Sequence, residues 1–241
     1  MIEHPFSPNK DILPRAQREL WPHLRAATEL DFVLYGGTAI ALRLGHRTSV
    51  DFDFFSEKAL AVHQLTKALP FLGAATVLQD EKNSLSALVP AGNGETVKVS
   101  FFGGLNFGRV GQPELTGDRV LRVASLDDLM AAKVKTILQR VNAKDYVDIA
   151  AMVEAGVSLA KGLATARAMF GGSFQPHESL KAMTYFEGGD LHLLSSDIKE
   201  SLVRAAGEVG ELPQIKLAEG LVPVGKSSLK SSHSQRLGPS M

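Results

Sequence analysis

The chain has 241 residues, 44% of them hydrophobic, and its 26 Lys and Arg balance its 26 Asp and Glu to a formal net charge of zero. This length supports one good core, or two small lobes sharing a cleft. The neutral balance excludes a whole-protein attraction for nucleic acid but leaves room for a local basic patch. With no cysteine, disulfides, zinc–thiolate sites and thiol catalysis are excluded. The seven histidines are scattered, with no H-E-x-x-H pattern of a zinc hydrolase. No apolar run approaches a membrane span. The N-terminal MIEHPFSPNKDILPRAQ has acidic residues and prolines and no apolar core of signal-peptide type. A soluble, cytoplasmic protein with no membrane partner is expected.

In chain order, residues 14–29 predict an amphipathic helix with Leu20, Leu24 and Ala27 at helical spacing. Phe32–Tyr35 predicts a short buried strand that Gly36-Gly37 ends, and Thr38 is placed to cap an apolar helix Ala39–Leu44. Val50–Phe55 predicts a second strand of alternating carboxylates and aromatics, and residues 58–69 a helix ended by Pro70. Four more strands are predicted, over Ala74–Gln79, Leu85–Pro90, Thr96–Phe102 and Arg119–Val123, with a hairpin turn in AGNGE. From Ser125 the pattern is helical: 126–140 behind a Ser125/Asp128 capping box, then 144–155, 159–170 and 195–209. Residues 221–241 lose their aromatics, become Ser/Lys/Gly/Pro-rich and predict a disordered, mildly basic tail. The expected architecture is α+β: a sheet-containing lobe over 1–123, a helical lobe over 124–220, and a cleft between them.

The chemistry concentrates in LYGGTAIALRLGHRTSVDFDFFSE, residues 34–57. Asp51 and Asp53, two apart on a strand, point to one face. Flanked by Phe52, Phe54 and Phe55, this carboxylate pair needs a cation, and an oxygen-only site with room for water and phosphate suits Mg²⁺ or Mn²⁺. D-x-D by itself equally suits a strand end facing solvent. Gly36, Gly37 and Thr38 between strand and helix let backbone N–H groups approach a phosphate, with the helix dipole in support, and Thr38 can donate its hydroxyl. Arg43, His46, Arg47 and Ser49 precede the Asp pair. Such a basic cluster suits a polyphosphate clamped over a metal, or structural bridges from Arg43 and Arg47 to Asp51 or Asp53. In residues 125–153, Lys133 and Arg140 are spaced to share a helix face, and Lys133 projects from a largely apolar helix that needs an anion opposite it. Lys133 can contact a triphosphate, with Asp148 to orient it or act as base. Periodicity alone prefers a Lys–Asp bridge tying two helices together.

GGTAIALRLGHRTSVDFDFF resembles the G-G-T-A-x-x-x-R…H-R-x-S-x-D-x-D signature of AbiEii/AbiGii toxin-type nucleotidyltransferases, and AAKVKTILQRVNAKDYVDIAAMV resembles the same family's downstream K…R…(R/K)-D-x-x-D motif. The resemblance spans about residues 32–155. It implies a DNA polymerase β-type nucleotidyltransferase fold and transfer of a nucleoside monophosphate from an NTP to an acceptor hydroxyl. The family's members include toxins of toxin–antitoxin and phage-defence systems, some of which add nucleotides to the acceptor end of tRNA. A tRNA or other RNA acceptor and a cognate antitoxin are therefore implied as partners. By the same resemblance, Gly36, Gly37 and Thr38 match the phosphate-binding turn and Ser49, Asp51 and Asp53 the metal motif. Lys133 matches the phosphate lysine and Asp148 the late acid, with Lys135 and Asp145 as neighbouring candidates. Arg43, Arg47, Lys133, Lys135, Arg140 and Lys144 are available to line one cleft. One departure stands out: on the strand Thr96–Phe102, Ser100 occupies the position where many polymerase β-type enzymes place a third carboxylate. Two other readings stay open, transfer to a small molecule or protein and a non-catalytic binding domain.

Overall fold

The computed structural model of the chain describes residues 6–223. The helix expected over 14–29 is two helices, α1 (Arg15–Leu20) and α2 (Arg25–Glu29), joined by a 3-10 turn over Trp21–Leu24. Pro22 causes the break, since it has no N–H for the helix ladder and its ring opposes the carbonyl four residues back. Leu20, Leu24 and Ala27 still reach the core.

β1 (Val33–Tyr35) is buried throughout and runs into α3 (Gly36–Leu44). β2 (Asp51–Phe55) follows, then α4 (Val62–Ala68). α4 is shorter than expected because side chains hold the residues before it in a loop. The Lys58 N–H donates to Ser56 Oγ and the Leu60 N–H to Asn83 Oδ1. β3 (Thr76–Glu81), β4 (Ser84–Pro90) and β5 (Thr96–Phe102) form a meander, with a turn at Gly92–Gly94 as AGNGE predicted. β6 (Glu114–Leu115) was not foreseen, and β7 is only Arg122–Val123. The strand expected from Arg119 cannot start there, because Arg119 has a φ of 58° and the Thr116 hydroxyl accepts from the N–H groups of Val120 and Leu121, curling the segment into a turn.

The seven strands make one mixed sheet in the order β3-β4-β5-β2-β1-β7-β6. β2 is parallel to β5 and β1 parallel to β7; the other pairs are antiparallel. Period-2 alternation divides the central strands between two faces. Phe52 and Phe54 of β2 and Val97, Val99 and Phe101 of β5 are buried in the core, with the Phe54 and Phe101 rings stacked 5.1 Å apart. The opposite face carries Asp51, Asp53, Lys98 and Ser100.

The helical half comprises α5 (Leu126–Thr136), α6 (Ala143–Glu154), α7 (Leu159–Phe170), α8 (Pro176–Thr184) and α9 (Ser196–Gly207). Ser125, Asn142, Ser158 and Ser195 cap four of these starts with side-chain oxygens. α8, not foreseen, begins at Pro176, a residue suited to the first helical position. The Ser125 cap extends further than predicted: Asp128 accepts from Ser125 Oγ and from the Val110 and Gly111 N–H groups, fastening the 103–113 loop to the head of α5. Among the described residues no helix is long and apolar enough to cross a membrane.

Past α9 the chain returns to the sheet-bearing half. The Arg109 guanidinium donates to the carbonyls of Glu219 and Gly220, at 2.6 and 2.8 Å, and Leu221 is buried. The ordered fold therefore continues past the expected boundary at 220 to at least Leu221. The rest of the predicted tail, from residue 224, lies outside the described residues.

α5 and α7 pack closely because Gly162 admits Met130: a Cβ at 162 would lie 2.2 Å from Met130 Cγ. Gly162→Ala should gain up to about 1 kcal/mol of helix propensity but cost about 1–3 kcal/mol by overpacking. The expected net is a lower urea midpoint in chemical denaturation.

Candidate active site

A cleft of about 550 Å³ opens between the sheet and the helical half, lined on one side by β1, β2 and β5 and on the other by α5 and the start of α6. Its floor is the polar face of β2, where Asp51, Asp53 and Phe55 are half-buried. The Asp53 carboxyl is pushed above the usual carboxylate range, first by burial and then by the charge of Asp51, with Lys98, Ser100 and Lys133 pulling the other way. Among the described residues, neither Asp51 nor Asp53 forms an ion pair, whereas Asp145 and Asp148 form several. Two like charges held together without a paired cation are what a divalent metal relieves. The two carboxylates are oxygen donors of the kind a hard cation takes, and no group of three or more His, Cys, Asp or Glu converges among the described residues. A cation at Asp51 and Asp53 would take its remaining ligands from water and phosphate, the habit of Mg²⁺.

Gly36 and Gly37 are not a turn before the helix, as the sequence suggested, but its first residues. Gly36 has a φ of 73°, and a Cβ there would sit 2.6 Å from Asp53 Oδ2. A Cβ at Gly37 would meet Arg47 Nη2 at 2.3 Å. Both glycines are thus required by the close approach of charged side chains at the start of α3, which borders the cleft. Thr38 neither caps the helix nor offers its hydroxyl to the cleft. Its Oγ1 bonds Ser49 Oγ at 2.8 Å and the Asp51 carbonyl, stitching the start of α3 to the segment entering β2. Ser49 is buried, and both residues border the cleft.

The two arginines separate. Arg47 lies on the cleft and clamps Asp148, with Nε at 2.7 Å from Oδ1 and Nη2 at 2.9 Å from Oδ2. Arg43 is turned away: it donates to the carbonyls of Ala124 and Val123 and pairs with Glu114 at 2.7 Å. It locks the end of α3 to β6 and β7 and does not line the cleft, so its expected phosphate-binding role is corrected to a structural one. The bridging partner is Glu114, not the Asp pair, because the helix points residue 43 at the opposite sheet edge.

Asp148 is wholly buried and receives three cationic or potentially cationic groups: His46 Nε2 at 2.7 Å, the Arg47 fork, and Lys133 Nζ at 2.7 Å. Burial alone would push its carboxyl up, but hydrogen bonds from His46 and Arg47 and the charge of Lys133 hold it far below the usual range. So committed, the carboxylate holds Arg47 and Lys133 in place. Lys133, 6% exposed, also reaches Asp145 at 2.6 Å. The Lys–Asp bridge between α5 and α6 that periodicity favoured is present, and the lysine still borders the cleft. Arg140 does not share a helix face with Lys133, because α5 ends at Thr136. It folds back to grip Asp145 with Nε and Nη2 at 2.8 and 3.0 Å. Lys144 borders the cleft, while Lys135 points elsewhere and donates to the Ser173 carbonyl.

Sequence reasoning missed Lys98. It is paired with Asp51 in the parallel β2–β5 register, just as Ser100 is paired with Asp53. The period-2 pattern of TVKVSFF carried that signal, since Lys98, Ser100 and Phe102 share the face opposite Val97, Val99 and Phe101.

Comparison with known proteins adds to this geometry. A family model described as nucleotidyl transferase AbiEii toxin, type IV toxin–antitoxin system, matches residues 23–187. An uncharacterised protein of Aquifex aeolicus, aq_aa25, is 33% identical over 121 residues. That match covers 49% of this chain and 56% of the relative, so the chain spans about half the length of that protein. Among solved structures, the nucleotidyltransferase toxin MenT4 of Mycobacterium tuberculosis aligns over 78% of this chain and 82% of its own, at 16% identity and a TM-score of 0.50. An antigenic nucleotidyltransferase-like protein from Paracoccidioides brasiliensis aligns over 62% of this chain and 78% of its own, at 15% identity and a TM-score of 0.41. The MenT4 likeness establishes the fold as the expected α+β nucleotidyltransferase type.

Asp148→Asn would leave Arg47, Lys133 and His46 facing a neutral amide in a dry site, at a cost of about 3–5 kcal/mol. Because the folded carboxyl is depressed, its stabilisation is complete above the unfolded value near pH ~3.9 and fades as pH falls toward the lower folded value. Urea midpoints of the two proteins should differ by a constant amount above about pH 5 and converge in acid.

Proposed function

The chain belongs to the AbiEii nucleotidyl transferase toxin family, and on that premise we propose that it moves a nucleoside monophosphate from an NTP to an acceptor hydroxyl, with an RNA end, such as that of tRNA, as acceptor. The observation that carries the reading is the unpaired Asp51/Asp53 carboxylate pair on the cleft floor beside the N-terminus of α3 and the cations Arg47 and Lys133.

Asp51 and Asp53 would hold a divalent cation, which would supply charge neutralisation for the triphosphate and activation of the attacking hydroxyl. The chain's own groups do the rest. The first turn of α3 offers backbone N–H groups to the phosphates. The Lys133 ammonium has three N–H groups; Asp145 and Asp148 take two, leaving one for a phosphate oxygen. Arg47, fixed by Asp148, presents its remaining N–H groups to the same anion. In the transfer, the acceptor oxygen bonds to the α-phosphorus. The bond from that phosphorus to the oxygen bridging it to the β-phosphate breaks, and its electron pair leaves with pyrophosphate. The hydroxyl proton passes to water, because Ser100 supplies no carboxylate to receive it. The toxin role and a cognate antitoxin follow from family membership and belong to this proposal.

Purified protein incubated with Mg²⁺, each α-labelled NTP in turn and total tRNA should yield labelled RNA, and Asp51→Ala should abolish the label. Absence of transfer to RNA with NTP still bound would favour a small-molecule or protein acceptor. Failure to bind metal or NTP would remove the catalytic reading.

A further inference from the structure

A transferase must place donor and acceptor on opposite sides of the reacting phosphorus. In this cleft the anion-binding groups, the α3 terminus, Arg47 and Lys133, all lie to one side of Asp51 and Asp53. The other side is the continuing sheet face of β5, β4 and β3. There the register carries one row from Asp53 through Ser100 and Ser86 to Gln79, and all four residues border the cleft. The row is polar but uncharged beyond Asp53.

Ser100 is 1% exposed and its hydroxyl has no partner. It lies near enough to Asp53 to lower that carboxyl without completing a hydrogen bond of good geometry. Its oxygen is shut off from the surface at the base of the row, so the polar groups this face offers a ligand are those of Ser86 and Gln79. One row over, Lys98 is half-buried, borders the cleft and forms no ion pair among the described residues. Of the other cleft cations, Arg47, Lys133 and Arg140 are each committed to a buried aspartate; Lys144, also without an ion pair among the described residues, lies across the cleft at the start of α6, not on this sheet face.

From this we infer that the β5–β4–β3 face is the acceptor subsite, with Ser86 and Gln79 receiving sugar hydroxyls and Lys98 engaging a phosphate of the acceptor strand. The inference rests on the transferase reading above and deepens it. A cationic acceptor would meet Lys98 here, and the cleft-lining residues of β5, β4 and β3 include no carboxylate; Glu81, on the same face of β3, lies past Gln79 outside that lining. A strand end offers the required combination, a hydroxyl for the reaction with a phosphodiester close by.

The test compares wild type with Lys98→Gln and Lys98→Arg in two assays. The first is anisotropy of a short single-stranded RNA labelled at its 5′ end, across a salt series. The second is steady-state transfer with acceptor and NTP varied separately. Loss of one phosphate contact should reduce the slope of log affinity against log salt by about 0.7 in Lys98→Gln, and Lys98→Arg should restore it. In transfer, the acceptor KM should rise about tenfold while the NTP KM stays within twofold, about the loss of a single charge-assisted hydrogen bond. An unchanged slope and acceptor KM in Lys98→Gln would overturn the subsite alone. So would a rise confined to the NTP KM, which would put Lys98 on the donor side. No transfer by wild type to any RNA would overturn the RNA-acceptor reading and the subsite with it.

Discussion

The Asp148 carboxylate is the point on which the rest of the cleft turns. It is fully buried, and in a low-dielectric interior a lone charge of that kind would neutralise itself or unfold its surroundings. Here it is met by His46, Arg47 and Lys133, drawn from the loop after α3 and from α5. Two chain segments far apart in sequence are thereby pinned to α6. The Arg47 fork fixes the segment that leads into β2, and Lys133 is shared onward to Asp145 and Arg140. This buried ionic chain sets the spacing between the sheet and the helical half, and so the width of the cleft.

Opposite this ion-paired network lies a pair of carboxylates without ion pairs among the described residues. Asp51 and Asp53 are side by side on the same strand face, and the Asp53 carboxyl is pushed up by burial and by its neighbour. The asymmetry between the two walls carries functional meaning. On the helical wall, carboxylates are neutralised by protein cations and act as scaffolding. On the sheet wall, Asp51 and Asp53 form no ion pair among the described residues. The glycines at the head of α3 belong to the same design, since a Cβ at either would collide with Asp53 or Arg47.

Much of this was legible in the linear sequence. The D-x-D spacing placed two carboxylates on one strand face, because strand geometry has period two wherever the strand lies. The TVKVSFF alternation put Ser100 on the face that a third acid would occupy, and its register opposite Asp53 agrees. The cap residues Ser125, Asn142, Ser158 and Ser195 are local signals, and the helices begin beside them. Local chemistry was misread where a distant partner overrode it. Asn83 kept residue 60 out of helix, and Thr116 curled the run that looked like a strand from Arg119.

The sequence by itself determined the alternating faces, the helix starts, and the residue types able to hold a cation and a polyphosphate, because these depend on neighbours within a few positions. Only the tertiary structure decided what each charge does. Arg43 and Arg47 sit on one short segment, yet one reaches Glu114 at the far sheet edge and the other Asp148 on the cleft. Lys133 and Lys135 are two residues apart on one helix, and only the first borders the cleft. Ion pairing of a buried side chain is settled by whichever opposite charge the fold brings within about 3 Å, and those partners lie roughly ten to a hundred residues away in the chain.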